Sequence, residues 1–572
     1  KMEHVVVADV DGIVRAVLAA PGDTVGEGSA VAHLELADVG AAARTEDEEI
    51  DLDEIRPDLA EVLDRHRRTH DEARPSAVAR RRKFAHRTAR ENIDDLCDPD
   101  TFVEYGPLTV AARRRRNTLE ELIAQTPADG LIMGLASVNG ELFSGTTSAD
   151  RTRCAVLAYD DTVLAGTQGA HNHVKLDRMA ELALRWRLPT IFFTEGGGGR
   201  PGDTEGGGFT RGFEYWAKLS GAVPLVGVTA GRCFAGNAAI LGCCDVIIAT
   251  RDSALGMGGP AMVEGGGLGV FRPEEIGPID VMQANGTIDV LVDDEAEAVA
   301  VAKRYLSYFQ GPLADWTCAD QRRLRRAIPE NRVRAYDVRT VIDLLADEGT
   351  VLELRPRFGL AMVTALARIE GRSVGIIANN PLHLGGAIDS DASDKAARFL
   401  QLCEAFDVPV VSLSDTPGNM VGPEAEKTGL IRHCSRLFLI GANLTVPILS
   451  VILRKSYGLG AIAMTGGSYQ ASMFCVSWPT GEFGGMGLEG SVKLGYRNEL
   501  AAIEDDVERK ATFDHMVAGA YAAGKAVARA TGTSLDDVID PADTRRWIVA
   551  GLASQPPVPT RTAKKLPWID AW

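Results

Sequence analysis

The sequence has 572 residues, a formal net charge of −18 at pH 7 and 45% hydrophobic residues. This length exceeds what one core supports, so we expect a globular protein of two or more domains, and the acidic charge argues against a general nucleic-acid binder. No apolar run reaches the roughly 18 residues that a membrane span needs, and the nine scattered cysteines form no C-x-x-C pair, which argues against zinc or a disulfide framework and favours a reducing cytoplasm.

The first 36 residues predict a small β-rich segment. Three short strand-like runs, at 5–7, 12–14 and 31–36, surround the turn Ala20-Pro21-Gly22-Asp23. About 36 residues are few for an independent core.

Residues 37–96 predict a connection and then helices. Residues 37–75 become acidic and then polar, which predicts a linker or docking helix. The Arg-rich stretch 78–96 predicts one amphipathic helix. The basic clusters 80–83 and 113–116 are either solvated faces or a surface that recognises a phosphorylated ligand such as coenzyme A.

From about residue 128, apolar runs alternate with helix-like stretches. This alternation predicts βαβ units with right-handed crossovers and an α/β fold. Strands are predicted at 131–137, 153–158, 190–193, 225–228 and 246–249, with helices at 175–187 and 235–241.

An internal repeat relates two halves of the chain. Residue types recur at an offset of 220 residues (395 minus 175): Lys175, Pro189 and Glu195 match Lys395, Pro409 and Asp415. Because the surrounding pattern also agrees, we interpret the halves as a duplication. The polar segment 320–334 predicts a boundary near 315–345.

Each half contains two glycine-rich turns. One follows a strand-like run, at 194–200 and at 415–418, and one enters a helix, at 230–237 and at 457–461. Glycines let backbone N–H groups face a ligand, and a helix N-terminus adds positive potential. Each turn alone is a weak signal, but four in duplicated positions predict two sites for oxyanions that form during a reaction.

The side chains offer no clear nucleophile or metal cluster. His171 and His173 could be metal ligands, but no third ligand stands near them in sequence, and surface or satisfied histidines are more common. No G-x-S-x-G elbow and no Walker-type lysine loop occur. The sequence therefore favours catalysis by positioned backbone donors over covalent catalysis, and we expect no metal.

Residues from about 76 to 550 resemble the carboxyltransferase component of biotin-dependent acyl-CoA carboxylases, such as propionyl-CoA carboxylase beta subunits. The stretches that carry the resemblance lie at 87–91, 195–200, 370–376, 391–399, 417–422, 429–433, 454–458 and 478–480. The resemblance implies two crotonase-like subdomains of ββα repeats and a homohexamer built as a dimer of trimers. It implies an acyl-CoA subdomain at 76–325, a biotin subdomain at 326–550 and a tail at 551–572, with acyl-CoA and biotin meeting between protomers.

The resemblance also implies roles for individual residues. The N–H groups of Gly197 and Gly198 would hold the thioester enolate oxygen, and those of Leu459 and Gly460 the ureido oxygen of biotin. Further contacts are implied with acyl-CoA (Arg87, Arg90, Gly166, Gly169, Arg200, Ala235, Gly236) and with biotin (Gly418, Tyr457, Gly458). The enolate would attack CO2 released from carboxybiotin after the biotin nitrogen takes the α-proton.

The sequence departs from the family pattern at three places. The usual S-G-G-A-R is Gly-Gly-Gly-Gly-Arg at 196–200, and the usual Gly-Ala pair is Leu459-Gly460. Backbone donors survive both changes. Where propionyl-type members carry an acidic residue, Ile462 favours a larger apolar acyl chain, long-chain or broad-range; the alternative is repacking without a change of substrate.

The N-terminus resembles part of a biotin carrier. Lys1-Met2-Glu3-His4 is similar to the signature M-K-M-E entered at its lysine, and residues 20–25 look like the second half of a biotinyl domain. The resemblance implies that residues 1–36 end a partial β-barrel biotinyl domain with biotin on Lys1, and that a biotin carboxylase using ATP, Mg and bicarbonate lies upstream. The alternative is an ordinary lysine on a frayed strand.

Three other functions stay open. One is a biotin-linked decarboxylase with a membrane ion-pump partner. Another is an enoyl-CoA hydratase or isomerase, which needs a carboxylate beside the first glycine loop; Glu205 and Glu264 are the near candidates. The last is a non-catalytic subunit that binds acyl-CoA and scaffolds the carrier.

Overall fold

The computed structural model describes residues 6–38, 51–200, 202, 210–532, 534–556 and 561–572. The chain separates into two compact units, 1–64 and 65–572. Within the described residues, no helix combines the length and apolarity required to cross a bilayer.

The first unit contains one antiparallel hairpin. Its strands β1 (Gly12–Val17) and β2 (Ala32–Leu36) pair with a register irregularity between Val14 and Ala16. The predicted turn forms, with Asp23 N donating to Ala20 O at 3.0 Å. The run predicted at 5–7 forms no strand at residues 6 and 7, while residue 5 and Lys1 lie outside the described residues. The biotinyl assignment therefore stays a prediction.

Residues 57–125 form four helices, and the single helix predicted at 78–96 was wrong. The helices are α1 (Pro57–Arg67), α2 (Pro75–Arg82), α3 (Ala89–Leu96) and α4 (Leu119–Gln125). The chain breaks between α2 and α3 because Thr88 starts a new helix. Thr88 Oγ1 accepts from Glu91 N at 3.2 Å, and Thr88 N donates to Glu91 Oε2 at 2.8 Å, a capping box.

The first half of the large unit is built on a seven-stranded sheet. The strands of this half are β3 (Val103–Glu104), β4 (Leu131–Ser137), β5 (Arg153–Tyr159), β6 (Thr190–Phe193), β7 (Leu225–Thr229), β8 (Arg232–Phe234), β9 (Val246–Thr250), β10 (Ala254–Gly256) and β11 (Val290–Val292). Strands β8 and β10 form a separate parallel pair, and the other seven form the sheet. The sheet order is β11-β9-β7-β6-β5-β4-β3, antiparallel from β3 to β5 and parallel from β5 to β11. The five predicted strands are confirmed.

Helices connect these strands. They are α5 (Ala170–Trp186), α6 (Gly212–Leu219), α7 (Gly236–Gly242), α8 (Pro260–Gly265), α9 (Pro273–Ile276), α10 (Ile279–Ala284) and α11 (Glu295–Gln310). Both helices predicted in this half form, as α5 and α7.

The second half repeats the arrangement on an eight-stranded sheet. Its strands are β12 (Leu352–Leu354), β13 (Met362–Ile369), β14 (Arg372–Asn379), β15 (Val410–Thr416), β16 (Ile448–Tyr457), β17 (Phe474–Ser477), β18 (Glu482–Gly484) and β19 (Asp537–Val538). Strands β12 to β14 are antiparallel neighbours, and the pairs from β14 onward are parallel. Antiparallel strands followed by parallel ones occur in both halves, as a duplication requires.

The helices of the second half are α12 (Arg339–Leu345), α13 (Ser390–Ala405), α14 (Pro423–Glu426), α15 (Leu430–Gly441), α16 (Gly458–Met464), α17 (Leu488–Gly495), α18 (Arg497–Ala501), α19 (Asp506–Gly524), α20 (Ala526–Ala530) and α21 (Thr544–Ala553). Short 3-10 helices at Leu164–Gly166 and Leu384–Gly386 precede α5 and α13 at equivalent positions. The α/β prediction is therefore confirmed.

The two halves share one hydrophobic core. Tyr305 and Leu306 of α11, Phe399 of α13 and strand residues of both sheets, such as Val226 and Leu366, belong to one buried cluster. The predicted boundary region holds a short 3-10 helix, Gln321–Arg326, and α12. The halves are subdomains of one compact unit because burial is continuous between them.

The repeated lysines are structural. Lys175 Nζ donates to Ala128 O at 2.8 Å, and Lys395 Nζ donates to Phe358 O at 2.9 Å and Met362 O at 2.7 Å. Burial lowers the pKa of Lys175 to about 8 and that of Lys395 to about 7. Each lysine fixes its helix to the chain that enters the antiparallel strands of its own half.

Candidate functional site

The first glycine loop, residues 195–200, leaves the carboxyl end of β6 and is held on two sides. On one side, Gly196 N donates to Arg232 O at 2.7 Å and Phe234 N donates to Gly196 O at 3.0 Å. On the other, Gln168 N donates to Gly198 O, and Arg200 N donates to Gln168 O, both at 2.8 Å. The loop therefore lies between β8 and the entry to α5.

The second loop, residues 415–420, repeats this geometry after β15. Ile388 N donates to Gly418 O at 3.0 Å and Met420 N donates to Ile388 O at 2.8 Å. These residues stand 220 positions after Gln168, Gly198 and Arg200 (388 minus 168). The repeat inferred from three residue types thus extends to the hydrogen bonds of the loops.

Each loop lies against the start of a helix, and glycine is required there. Gly198 has φ +85, and a Cβ on it would lie 2.6 Å from the Cβ of Ala235, which precedes α7. A Cβ on Gly460, in the first turn of α16, would lie 2.6 Å from the carbonyl carbon of Gly418. Two glycine cradles therefore stand at equivalent places in the two halves.

The amides predicted for the first cradle already donate within the protein. Gly197 N donates to Ala165 O at 3.1 Å, and Gly198 N donates to the Asn237 Oδ1 at 3.0 Å. An oxyanion could use them only by replacing or sharing these acceptors. The neighbouring amides of Gly199 and Gly236 have no acceptor within the part of the chain that the structure describes.

The amides predicted for the second cradle are open. Leu459 and Gly460 lie in the first turn of α16, where N–H groups have no intrahelical acceptor. Neither has another acceptor among the described residues. The Leu459 side chain is exposed, Gly460 is buried, and Ile462 is half-buried one turn further on.

The other predicted neighbours of the cradles frame them. Gly166 O accepts from Asn237 Nδ2 at 3.2 Å, and Gly169 is the N-cap of α5. In the second half, Tyr457 is the N-cap of α16, and its hydroxyl donates to Glu482 at 2.9 Å. Gly458 has a positive φ of +59, and a Cβ there would also lie 2.9 Å from Gly485 O, so glycine is favoured at this position.

The predicted coenzyme A arginines are in protein ion pairs. Arg200 is buried, with Nη1 2.5 Å from Asp129 Oδ1 and Nη2 donating to Thr167 O at 2.7 Å. Arg90 pairs with Glu104 at 3.0 Å, and Arg87 with Asp95 at 2.6 Å. The structure brings Arg200 to the glycine loop but directs its charge inward.

A carboxylate begins each loop, Asp415 fully buried and Glu195 only slightly exposed, a feature that sequence reasoning missed. Glu195 accepts from Arg81 Nη1 at 2.7 Å, and burial raises the pKa of Glu195 to about 7 while Arg81 opposes the rise. Asp415 accepts from Arg454 Nε at 3.0 Å and from the Tyr336 hydroxyl at 2.9 Å. The aligned pair Glu195 and Asp415 was the available signal. The interpretation of 80–83 as a solvated or ligand-binding cluster was wrong for Arg81, which is buried.

His86 completes the charge cluster behind the first loop. Its Nδ1 lies 2.8 Å from Glu295 Oε1, and its Nε2 lies 2.9 Å from Asp252 Oδ2. Hydrogen bonds to Asp252 and then Glu295 raise the pKa of His86 to about 10. The imidazolium therefore joins the segment between α2 and α3 to the start of α11.

A cysteine thiol lies beside the first cradle. Cys233 on β8 is fully buried, and its Sγ is 3.5 Å from Thr194 Oγ1. Burial raises the pKa of Cys233 to about 12. The thiol is protonated at neutral pH.

The side chains predicted as acid/base groups or metal ligands are not placed for these roles at the first loop in the part of the chain that the structure describes. Glu264 is exposed on α8, and Glu205 lies outside the described residues. His171 Nδ1 lies 2.7 Å from Val110 O. Among the residues with described positions, no group of three side chains could hold a metal ion.

Comparisons with known proteins agree over most of the chain. The family described as the carboxyl transferase domain matches residues 80–567. The methylmalonyl-CoA carboxyltransferase 12S subunit of Propionibacterium freudenreichii subsp. shermanii is 34% identical over 479 residues, which cover 81% of this chain and 88% of that protein.

Two solved structures are similar in fold. A single-chain, multi-domain long-chain acyl-CoA carboxylase has a TM-score of 0.83 and 54% identity, covering 96% of this chain and 52% of that one. A transcarboxylase 12S hexamer, with methylmalonyl-CoA and methylmalonic acid bound, has a TM-score of 0.76 and 30% identity, covering 90% of this chain and 99% of that one. The chain thus spans about half the length of the first protein.

Proposed function

The chain belongs to the carboxyl transferase domain family, as a crotonase-like acyl-CoA carboxyltransferase, and from that membership we propose that it moves a carboxyl group from carboxybiotin to the α-carbon of an acyl-CoA. The observation that carries the proposal is the pair of glycine cradles, related by hydrogen bonds at the 220-residue offset. One reaction with two successive oxyanions needs two such cradles.

The cradle of α16 suits the ureido oxygen of carboxybiotin, which is a substrate of the proposed reaction. The first-turn amides of Leu459 and Gly460 are open donors, and the helix N-terminus adds positive potential. Carboxybiotin supplies CO2 and a basic nitrogen when charge collects on that oxygen. The chain's contribution is to hold the oxygen with donors that need no reorganisation.

The first cradle suits the enolate oxygen of the thioester. Gly197 and Gly198 would exchange the Ala165 carbonyl and the Asn237 side chain for the enolate oxygen as negative charge develops. A donor that gains a better acceptor only in the transition state lowers the barrier without strengthening ground-state binding. The open amide of Gly199 stands beside them and offers a third donor.

The substrate preference that fits is for long acyl chains or for a broad range of chain lengths. Ile462 is half-buried on α16. Because its side chain is apolar, an alkyl chain can pack against it without desolvating a charge. We expect Ile462→Asp to lower kcat/KM for long acyl-CoA about tenfold or more while sparing short substrates, since a buried carboxylate penalises an apolar neighbour. Equal losses for C3 and C16 substrates would show that Ile462 only fills space.

We propose that the active assembly is a hexamer that carries biotin. A transcarboxylase 12S relative is described as a hexamer, and a single-chain relative about twice as long is a multi-domain carboxylase. From the similarity of residues 1–4 to a biotinylation signature, we further propose that biotin is carried on Lys1 and that a biotin carboxylase using ATP, Mg and bicarbonate supplies the carboxyl group. Intact mass measurement of the purified protein tests the biotin assignment: a biotin adduct must be found.

The activity test is incubation of the purified enzyme with carboxybiotin and a panel of acyl-CoAs. Carboxylated acyl-CoA supports the proposal. Hydration of enoyl-CoA without biotin supports a hydratase, acyl-CoA binding without turnover supports a scaffold, and net decarboxylation coupled to an ion gradient supports a decarboxylase.

The cradle test uses adjacent glycines. Gly198→Ala places a Cβ 2.6 Å from Ala235 at φ +85, whereas Gly199→Ala meets nothing within 4 Å. We expect carboxyl transfer to fall at least 100-fold in the first variant, about the effect of losing one oxyanion donor, and to change little in the second. Gly197→Pro and Gly460→Pro remove donors outright; full activity in both, with folding intact, contradicts the assignment.

A further inference from the structure

A cavity of about 450 Å³ lies at the opposite edge of the first sheet from the glycine loops. Its walls include Arg153, the first residue of β5, and the prolines that precede β6 and β7, Pro189 and Pro224. The first glycine loop follows the other end of β6, so roughly 20 Å of extended chain separates the two places. The cavity is therefore not part of the candidate site.

The cavity wall carries an excess of positive charge. Its basic side chains are Arg151, Arg153, Arg187, Arg561, Lys564 and Lys565, and its acidic ones are Asp150 and Asp407. Asp407 already pairs with Arg561 and with Lys565, the latter at 2.7 Å. In a chain of net charge −18, this is a concentrated cationic cavity.

Several of these cations lack a counter-charge. Within the described parts of the chain, no carboxylate lies within ion-pair distance of Arg151, Arg153 or Arg187. Arg561 Nη1 is buried without a hydrogen-bond partner among those residues. Like charges held together are destabilising unless an anion compensates them, and an unpaired buried N–H costs about 1–3 kcal/mol.

Lys564 shows the same crowding. Its ammonium donates to two carbonyls, Ser220 O at 2.7 Å and Pro567 O at 2.9 Å, and to no carboxylate of the residues that the structure describes. Burial lowers the pKa of Lys564; the nearby Arg187 lowers it further, and Asp245 opposes them. A bound anion would relieve this repulsion.

Aromatic rings complete the wall. Trp186 is 64% exposed, and Phe309 meets Phe406 edge to face with ring centroids 5.2 Å apart. A flat ring can stack on an exposed indole while its phosphates reach the guanidinium groups. The volume suits one small molecule, since ligand pockets span about 300–1,000 Å³.

We propose that this cavity is a second ligand site, for a phosphorylated small molecule of nucleotide size that carries an aromatic ring. The wall comes from both halves of the large unit and from residues 561–565. A ligand there contacts all three segments and so stabilises their arrangement by its own binding free energy.

The test is calorimetric titration of the assembled, full-length enzyme with ATP, coenzyme A and inorganic triphosphate. ATP or coenzyme A is expected to bind with a dissociation constant that rises with salt, and triphosphate more weakly because it lacks a ring. Because coenzyme A also binds the proposed active site and ATP the proposed biotin carboxylase, the binding assigned to this cavity is the component that the double variant described below removes. Whichever of ATP and coenzyme A binds more tightly then identifies the class of the natural ligand.

Variants make the proposal falsifiable. Arg153→Gln with Arg187→Gln should weaken binding about 100-fold, as expected for two charge-assisted contacts, and leave carboxyl transfer unchanged. Arg326→Gln, an arginine whose side chain is 83% exposed, is the matched control and should bind normally. Absence of binding at millimolar probe, unaltered binding by the double variant, or a cavity closed by a neighbouring subunit in the assembled enzyme overturns the proposal.

Discussion

At the scale of single residues, each cradle is supported by an ion pair with a buried arginine, and the two arginines differ in how many carboxylates lie near them. Arg81 faces Glu195, with Asp161 at 3.6 Å and Glu295 at 3.8 Å as further carboxylates. Among the described residues, Arg454 pairs only with Asp415. An uncompensated buried charge is expensive, so the same substitution should have different costs in the two halves.

We therefore predict that Asp415→Asn destabilises the protein by about 3–5 kcal/mol, because Arg454 is left buried without a carboxylate. Glu195→Gln should cost only about 1 kcal/mol, since Arg81 keeps two acidic neighbours. Urea unfolding of the two variants measures the difference. Equal losses would show that the pairs are energetically equivalent.

We also predict that both acids position the loops that they begin. In the folded Glu195→Gln variant, we expect kcat to fall about tenfold with KM for acyl-CoA nearly unchanged, because loop geometry acts on the transition state. Steady-state kinetics resolve the two constants. A loss confined to KM would indicate that Glu195 affects only ground-state binding.

At the scale of elements, the segment between α2 and α3 is held by an ionised histidine. His86 contacts Asp252 after β9 and Glu295 at the start of α11, and Arg81 lies near the same carboxylate. The folded pKa of about 10 exceeds the unfolded value of about 6.5. Its stabilisation is thus complete below about pH 6.5 and is lost as the pH rises through about 10.

We predict that His86→Gln lowers Tm by several degrees at pH 6.5 and by little at pH 10. Thermal unfolding of both proteins from pH 6 to 10 shows whether the curves converge, as the sign of the shift requires. Curves that stay parallel would mean that His86 is not charged in the folded protein.

The elements also show how far sequence reasoning reached. Strands from 131 to 249 were predictable because long apolar runs between helix patterns leave little alternative. The break between α2 and α3 was missed although Thr88 and Glu91 stand at capping-box spacing, since helical periodicity continued across it. The cradles were predictable as loops, but the internal acceptors of Gly197 and Gly198 depend on tertiary contacts with Ala165 and Asn237.

At the scale of the whole molecule, the last residues join the two halves. Ile569 is buried in the common core, and its N–H donates to Ser220 Oγ in the first half at 3.0 Å. Asp570 pairs with Arg436 in the second half at 2.8 Å, and Trp572 meets Phe358 edge to face. The predicted tail at 551–572 is thus a connector between subdomains in its final residues.

We predict that deleting residues 568–572 destabilises the enzyme by about 3 kcal/mol, the sum expected for one buried isoleucine and a partly buried ion pair. Denaturant unfolding measures the loss, and Trp568→Ala, which changes an exposed ring, is the control. Unchanged stability after deletion would show that the halves adhere without this segment.

The position of Cys233 has a consequence for an enzyme that handles thioesters. Acyl groups pass from coenzyme A to any accessible thiolate by exchange, and only the deprotonated sulfur is the nucleophile. Cys233 lies next to the cradle proposed for the thioester, but its sulfur is enclosed and its pKa is about 12. The enzyme can therefore hold an activated acyl group beside a cysteine without acylating itself.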